Sequence, residues 1–380
     1  MSMSRPSRRR FAVALMLTAG LTQAALAADL PPIRHVFVLM LENQSYAYTF
    51  GDRSVAPYLA RTLPARGALL RQYHGIGHYS LDNYLALISA QAPNDETQMD
   101  CLVFSEFRPT AKKLDADGQL HGAGCVYPTI VKTLPDQLEA AGLTWRGYME
   151  DMGRNPARER STCAHVEVGQ HENTDAAQIG DQYANKHNPF VYFHTIIDDR
   201  ARCDAHVVNL ELLAADLEDP GRTPNYVFIT PNLCHDGHDD PCVDGARGGL
   251  RAVDQFLQKW VPQIENSAAF RDAGLLVITF DESGSIDAKG ATACCGERGL
   301  PGAKYPAGLS GPGGGRIGAV VLSPFVKPGT LSDTPYNHYA LLRTIEAIFA
   351  LPRLGYAAAP DLREFGADVF SAAASPPRAQ

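Results

Sequence analysis

Short wholly apolar runs alternate along the chain with longer stretches in which apolar residues return every three or four positions. His35 to Leu41 (HVFVLML), Tyr226 to Thr230 (YVFIT), Leu275 to Phe280 (LLVITF) and Ala319 to Leu322 have the pattern of strands buried on both faces, and Thr144 to Met149 is a further candidate strand. Helical spacing is found over Ser80 to Ala90, Leu134 to Ala141 (stopped by Gly142), Asn209 to Leu217, Gly249 to Trp260 and His338 to Leu351. Alternation of this kind predicts an α/β fold: a mainly parallel central sheet with helices on both faces. Long polar segments interrupt it at roughly 94–130, 150–205 and 283–316, the last too rich in Gly and Pro for regular structure. Loop insertions this long within a compact domain are usually functional.

The N-terminus reads differently. Arg5, Arg8, Arg9 and Arg10 precede a short apolar segment, Phe11 to Gly20, and Ala25-Leu26-Ala27 offers the small residues of a cleavage site. This predicts a signal peptide over 1–27, with Ser7 to Phe11 also fitting a twin-arginine signal. One large domain, 28–370, and a disordered tail, 371–380, would follow. No later segment approaches the roughly 20 apolar residues of a spanning helix, so stable membrane insertion is not expected. The expected location is secreted or periplasmic. Cleavage removes four arginines and no acids, taking the formal charge from -8 to -12. An acidic chain without basic runs is a poor partner for nucleic acid.

Export also changes how the eight cysteines are read. Their even number predicts disulfides, and no CxxC pair exists to begin a structural zinc site. Cys234 and Cys242 flank a polar loop and suggest a local bridge, while adjacent Cys294 and Cys295 are expected to pair elsewhere.

Ligands bind at the carboxyl ends of parallel strands. HVFVLML runs into Glu42-Asn43, YVFIT into Asn232 and then Cys234 to His238, and LLVITF into Asp281-Glu282. Polar turn residues alone would account for any one of these endings. Together they offer hard oxygen donors with some imidazole, a mixture that suits a divalent cation. Ser80 opens a helix, where it is either an N-cap or a nucleophile beside an anion-attracting terminus. Asn83, one turn on, is in position to turn its amide towards a phosphate oxygen.

The blocks IRHVFVLMLENQSYAYTFG, GHYSLDNYLAL, NKHNPF, PNLCHDGH, VITFDES and YNHYALLRTIEAIFALP occur in this order between residue 33 and about 353. In them the chain resembles the phosphoesterase family of secreted acid phosphatases and phospholipases C, a branch of the alkaline phosphatase superfamily. It is most similar to the short bacterial acid phosphatases, some of which act on phosphoinositides. The resemblance implies an alkaline-phosphatase-like fold, with 28–370 as a single phosphoesterase domain. It implies a single metal held by Glu42, Asn43, Asp281 and Glu282, with nucleophilic Ser80 completing the shell. It also implies Asn83, Lys186, His187 and Asp236 as substrate-binding residues, and His238 as general acid or phosphate ligand. His338 lies in a family block too, with a site role and simple helix capping both open. Five oxygen donors favour calcium, magnesium or manganese over zinc.

Two features depart from the family. Its nucleophile loop is often HPSxPNY, and this chain has Tyr79 and Asp82 where prolines are usual, which loosens the loop and adds a negative charge near the expected phosphate. The second metal site of the two-zinc relatives is not evident. The expected activity is metal-dependent hydrolysis of phosphomonoesters through a phosphoserine intermediate. The partner would be a small phosphorylated substrate or a phospholipid headgroup. A phospholipase C-type phosphodiesterase is the alternative, and a non-catalytic binding module on the same fold is the reading from a different class.

Overall fold

The computed structural model describes residues 30–371 apart from 286 and 288. The expected leader and nearly all of the expected tail lie outside the described residues. The principal sheet comprises β1 (His35–Leu41), β2 (Ala68–Leu70), β3 (Trp145–Met149), β4 (Val207–Asn209), β5 (Tyr226–Thr230), β6 (Gly274–Phe280), β7 (Ala319–Leu322) and β8 (Thr330–Ser332). Their order across the sheet is β8-β2-β7-β6-β1-β5-β3-β4. β7 alone runs against its neighbours β6 and β2; every other pairing in this sheet is parallel. The mainly parallel sheet expected from the alternating pattern is therefore present.

β1, β5 and β6 are its centre, and their lack of Asp, Glu, Lys and Arg follows from that place. From Val36 to Leu41, and throughout β5 and β6, every residue is buried. The register sets Leu41 of β1 beside Phe280 of β6 and Leu39 beside Ile229 of β5. Glu42 and Asp281 are thus delivered to the same sheet edge.

The main helices are α1 (Ser80–Ser89), α2 (Leu134–Ala140), α3 (Leu212–Leu217), α4 (Gly249–Asn266) and α5 (His338–Ile348). Two boundaries differ from expectation for identifiable reasons. The stretch Asn209 to Leu217 is not one helix. β-branched Val207 and Val208 pair with β3, while the Asn209 side chain accepts the Glu211 amide at 2.9 Å and turns the chain before α3 begins. α4 does not stop near Trp260 but continues through Pro262, which has no amide to return to the carbonyl four residues back.

The long polar segments are fastened by disulfides Cys101–Cys125 and Cys163–Cys203, and Cys234–Cys242 closes the local loop the spacing suggested. Cys294 and Cys295 correct the expectation that they pair elsewhere: they pair with each other. The other six cysteines are already matched, and Glu297 fixes the turn by accepting both cysteine amides, at 3.2 and 2.8 Å.

Closing a 40-residue loop by Cys163–Cys203 restricts the unfolded chain. The double substitution Cys163→Ser/Cys203→Ser is expected to lower the unfolding free energy by about 2–4 kcal/mol, read by denaturant titration. The oxidised protein should resist alkylation until reductant is added; labelling of most of its thiols under native, non-reducing conditions would contradict the pairing.

Candidate active site

The site is assembled where β1 and β6 end. Glu42 follows β1, and its backbone amide donates to the Asp236 carbonyl at 2.8 Å. Asp281 follows β6, and its Oδ1 accepts the Asn43 amide at 2.8 Å. Glu42, Asp236 and Asp281 are completely buried. Burial, followed by Asp281 and Asp236, drives the Glu42 pKa well above the carboxylate range. Burial also raises Asp236 strongly and pushes Asp281 up to about 7. Asp281 raises the cost of ionising both Glu42 and Asp236, while hydrogen bonds with Asn43, Glu42 and Ser80 partly offset the burial of Asp281 itself.

Ser80 stands at the first position of α1, and its Oγ donates to Glu42 Oε2 at 2.7 Å. The N-cap alternative for Ser80 fails on geometry, because Tyr79 occupies the cap position and the Ser80 hydroxyl is turned to Glu42, while the Leu81 amide in the first turn is accepted by Asp100 Oδ1 at 3.0 Å. Tyr84, one turn further, donates its hydroxyl to Glu42 Oε1. Two hydroxyls from one helical face therefore hold the two oxygens of one carboxylate. Tyr79, just before Ser80, has φ of 47°, a left-handed value uncommon for a side chain of this size and one that clusters at functional turns.

Asn83 does not reach towards a substrate. Its Oδ1 accepts the amides of Ile76 and Gly77 at 2.7 and 3.1 Å, and its Nδ2 donates to the carbonyls of Gly77 and Tyr79, both at 3.1 Å. With every donor and acceptor engaged, the buried amide shapes the loop ahead of Ser80. Asp82 likewise differs from the charge expected near phosphate. Burial, then Asp100 and Asp281, push its pKa far upward, and its carboxyl lies against Gly77, where an added Cβ would meet its oxygens at 2.6 and 2.7 Å.

His187 lies flat on the Tyr84 ring, with centroids 5.3 Å apart. Its Nε2 is 3.3 Å from Glu42 Oε2 and its Nδ1 3.5 Å from Asp236 Oδ2. Those carboxylates favour the imidazolium, but burial, aided by Lys186 and His238, outweighs them and holds the pKa well below its ordinary value. Lys186 extends Nζ to Asp100 Oδ2 at 3.1 Å and Asp175 Oδ1 at 3.4 Å. Burial opposes its charge; Asp100, Asp175 and Glu42 more than offset it and keep the amine protonated.

His238 donates its backbone amide to Asp236 Oδ1 at 2.8 Å, and its Nδ1 pairs with Asp239 Oδ1 at 2.7 Å. Ser80, Asn43, Asp100, Lys186, His238 and Glu282 line a cavity of about 230 Å³. Glu282 turns its carboxylate to the buried His78, whose pKa burial lowers to about 4. His338 is not the cap of α5: Asn337 Oδ1 takes that role at 2.9 Å, while His338 Nε2 bonds the Asp281 carbonyl at 2.7 Å. Sequence patterning does not single out Asp100, Tyr84 or His78. Of the three, Tyr84 alone carries a signal, four residues after Ser80 and so on the same helical face.

The donor set suits a cation. Asp236 Oδ2 and Asp281 Oδ2 are buried without a hydrogen-bond partner, and Lys186 is the cavity's one ammonium. Among the described residues, the group of His, Cys, Asp and Glu ligand atoms lying within 4.8 Å of one another is instead Cys294, Cys295 and Glu297. Its two sulfurs are joined to each other, so it offers no thiolate.

The phosphoesterase family model matches residues 53–352. A probable acid phosphatase of Kluyveromyces lactis is 27% identical over 327 residues, covering 85% of this chain and 59% of its own length. The chain therefore spans about six-tenths of that relative. A phosphatidylinositol-3-phosphatase of Mycobacterium tuberculosis is 27% identical over 348 residues, 91% of this chain and 87% of its own. Among solved structures, a protein in the alkaline phosphatase superfamily from Vibrio parahaemolyticus superposes with a TM-score of 0.51 at 11% identity, over 85% of this chain and 68% of that one. The fold is that of the superfamily.

The buried Asp281 gives a pH signature. Its folded pKa of about 7 lies above the unfolded value near 3.8, so its contribution to stability is full at low pH and is lost as pH rises towards 7. Asp281→Asn cannot acquire that charge. With chelator present, the stability of Asp281→Asn relative to wild type is expected to climb from pH 4 to pH 7 and then level off, measured by denaturant unfolding. A difference that stays flat across this range would refute the assignment.

Proposed function

The chain belongs to the phosphoesterase family, and from that premise we propose that it is an exported phosphomonoesterase working through a phosphoserine at Ser80. The observation that carries the reading is the Ser80 hydroxyl, excused from capping its helix by Asp100 and bonded at 2.7 Å to a buried carboxylate beside the Lys186 cavity. The relatives named acid phosphatase and phosphatidylinositol-3-phosphatase support a phosphate ester as substrate. The disulfides support an oxidising compartment, and no helix among the described residues is long and apolar enough to cross a membrane.

Lys186 meets the phosphoryl oxygens and keeps its charge through Asp100 and Asp175. Ser80 Oγ forms the bond to phosphorus as its proton passes to Glu42 Oε2, the atom it already faces. His238, steadied by Asp239, gives a proton to the departing alkoxide. It then draws one from the water that attacks phosphorus, and as the Oγ–phosphorus bond breaks Ser80 recovers its proton from Glu42 Oε2. Glu42, Asn43, Asp281 and Ser80, with Asp236 beside them, would hold a divalent cation such as calcium, magnesium or manganese. Bound there, it would make the serine more acidic and neutralise phosphoryl charge. Glu282, engaged with His78, is left out of that set. His187, neutral and wedged between Glu42 and Asp236, acts as a spacer rather than a phosphate-binding cation.

Ser80→Ala is expected to remove turnover while keeping the melting temperature, since Asp100 supplies the helix cap. An acid quench of wild type should trap phosphate on Ser80, detected by mass spectrometry; an alanine variant retaining more than about a hundredth of the rate would exclude the mechanism. His238→Ala should cost alkyl phosphates about ten- to hundredfold more than activated aryl phosphates. Equal losses on both would remove it from the leaving-group side.

A further inference from the structure

The cavity at Ser80 adjoins a larger cleft of about 850 Å³, with Asn43, Glu282 and His238 lining both spaces. If phosphate sits at Ser80, this cleft is where the alcohol half extends. Its wall is the segment after β1, Gln44 to Tyr48, together with Arg316. The Arg316 guanidinium lies over the Tyr46 ring, 4.4 Å from its centroid. Its backbone is fixed, because the Arg316 carbonyl accepts the Tyr46 amide at 2.9 Å. Tyr48 is 59% exposed on the same wall.

Arg316 is partly buried, yet no carboxylate among the described residues pairs with it. Every other arginine at least partly buried does have one: Arg71, Arg146, Arg158, Arg200, Arg202, Arg343 and Arg353. Two other walls carry negative charge, but Glu282 is engaged with His78, and Asp287 accepts the amides of Lys289 and Gly290. Lys289 also lines the cleft, on that loop rather than on the aromatic wall. A guanidinium held in place without a counter-ion is a preorganised receptor for a planar or tetrahedral anion.

We infer that Arg316 is a specificity-determining residue that receives a second anionic group on the alcohol half of the substrate. The preferred class is then a phosphomonoester whose alcohol also carries a phosphate, phosphodiester or carboxylate, its carbon skeleton lying along Tyr46 and Tyr48. This rests on the phosphomonoesterase reading above and deepens it. The second anion can belong to a soluble metabolite or to a lipid headgroup, since Arg316 meets the same chemistry in either.

The test compares kcat/KM for glycerol 3-phosphate with 3-phosphoglycerate, fructose 6-phosphate with fructose 1,6-bisphosphate, and a short-chain phosphatidylinositol monophosphate, in wild type, Arg316→Gln and Arg316→Lys. Wild type should favour the anion-bearing member of each soluble pair. Arg316→Gln should cut that preference by about tenfold or more, mainly through KM, with Arg316→Lys intermediate. A preference confined to the lipid would assign the anion to a headgroup; one in the soluble pairs would assign it to a metabolite. Equal losses on neutral and anionic substrates would make Arg316 a mere prop for Tyr46 and overturn the inference, as would an unchanged preference. If Arg316→Gln fails to fold, the lysine variant decides alone by the same ratio. Wild type inactive on every phosphomonoester would sink the functional reading and the inference together, whereas activity without preference would sink only the inference.

Discussion

Three carboxyl groups, Glu42, Asp236 and Asp281, must share a water-free space at the end of a parallel sheet, and the surroundings are arranged to make that tolerable. Burying an ionised carboxylate without partners is costly, and burying several together is more so. The response here is hydroxyl and amide donors: Ser80 and Tyr84 on Glu42, the Asn43 amide on Asp281, the His238 amide on Asp236. The positive charge comes from Lys186, whose own carboxylate partners Asp100 and Asp175 stand apart from the three. The remaining unpartnered oxygens mark where more positive charge is wanted. A bound cation would relieve this imbalance.

Sheet geometry makes the crowding unavoidable. Because β1 and β6 are parallel and in register, the residues that follow Leu41 and Phe280 emerge side by side. Asp236 joins them because the loop after β5, the other neighbour of β1, returns its carbonyl to the Glu42 amide. Both neighbours of one central strand thus contribute a carboxylate to its end. His338 then ties α5 to the Asp281 carbonyl, so the helix packs against the backbone that carries the acid.

Much of this is legible in the amino-acid sequence. β1, β5 and β7 match their apolar runs to the residue, because strands buried on both faces have no choice but continuous hydrophobicity. β2 and β8 leave no such trace, because three residues are too few to display a period. Strand-end acids are visible as types, yet their division of labour is not. Which oxygen faces a neighbour depends on register and rotamer, so Glu282 faces His78, and Asp236 lies among the acids. Asp100 is hidden for a different reason: it belongs to a long polar insertion, and only tertiary folding brings it back to the first turn of α1. The bond between adjacent Cys294 and Cys295 runs against the expectation from spacing, because spacing says nothing about the turn that lets neighbours join.

The loop before Ser80 shows how one departure from a family pattern can be absorbed by the residues around it. Prolines at the positions of Tyr79 and Asp82 would stiffen the loop by fixing φ. This chain does without them, and Tyr79 adopts a left-handed φ that needs external support. Asn83 supplies it with bonds to both flanks, Ile76 and Gly77 on one side and Tyr79 on the other. Asp82, in turn, fits against Gly77 because that residue has no side chain, and burial suppresses its charge. Asp100 completes the arrangement by taking over the helix cap, which frees Ser80 to face Glu42. Rigidity lost from the covalent backbone is thereby recovered through buried hydrogen bonds, and the serine is presented by the whole loop rather than by its own position in the helix.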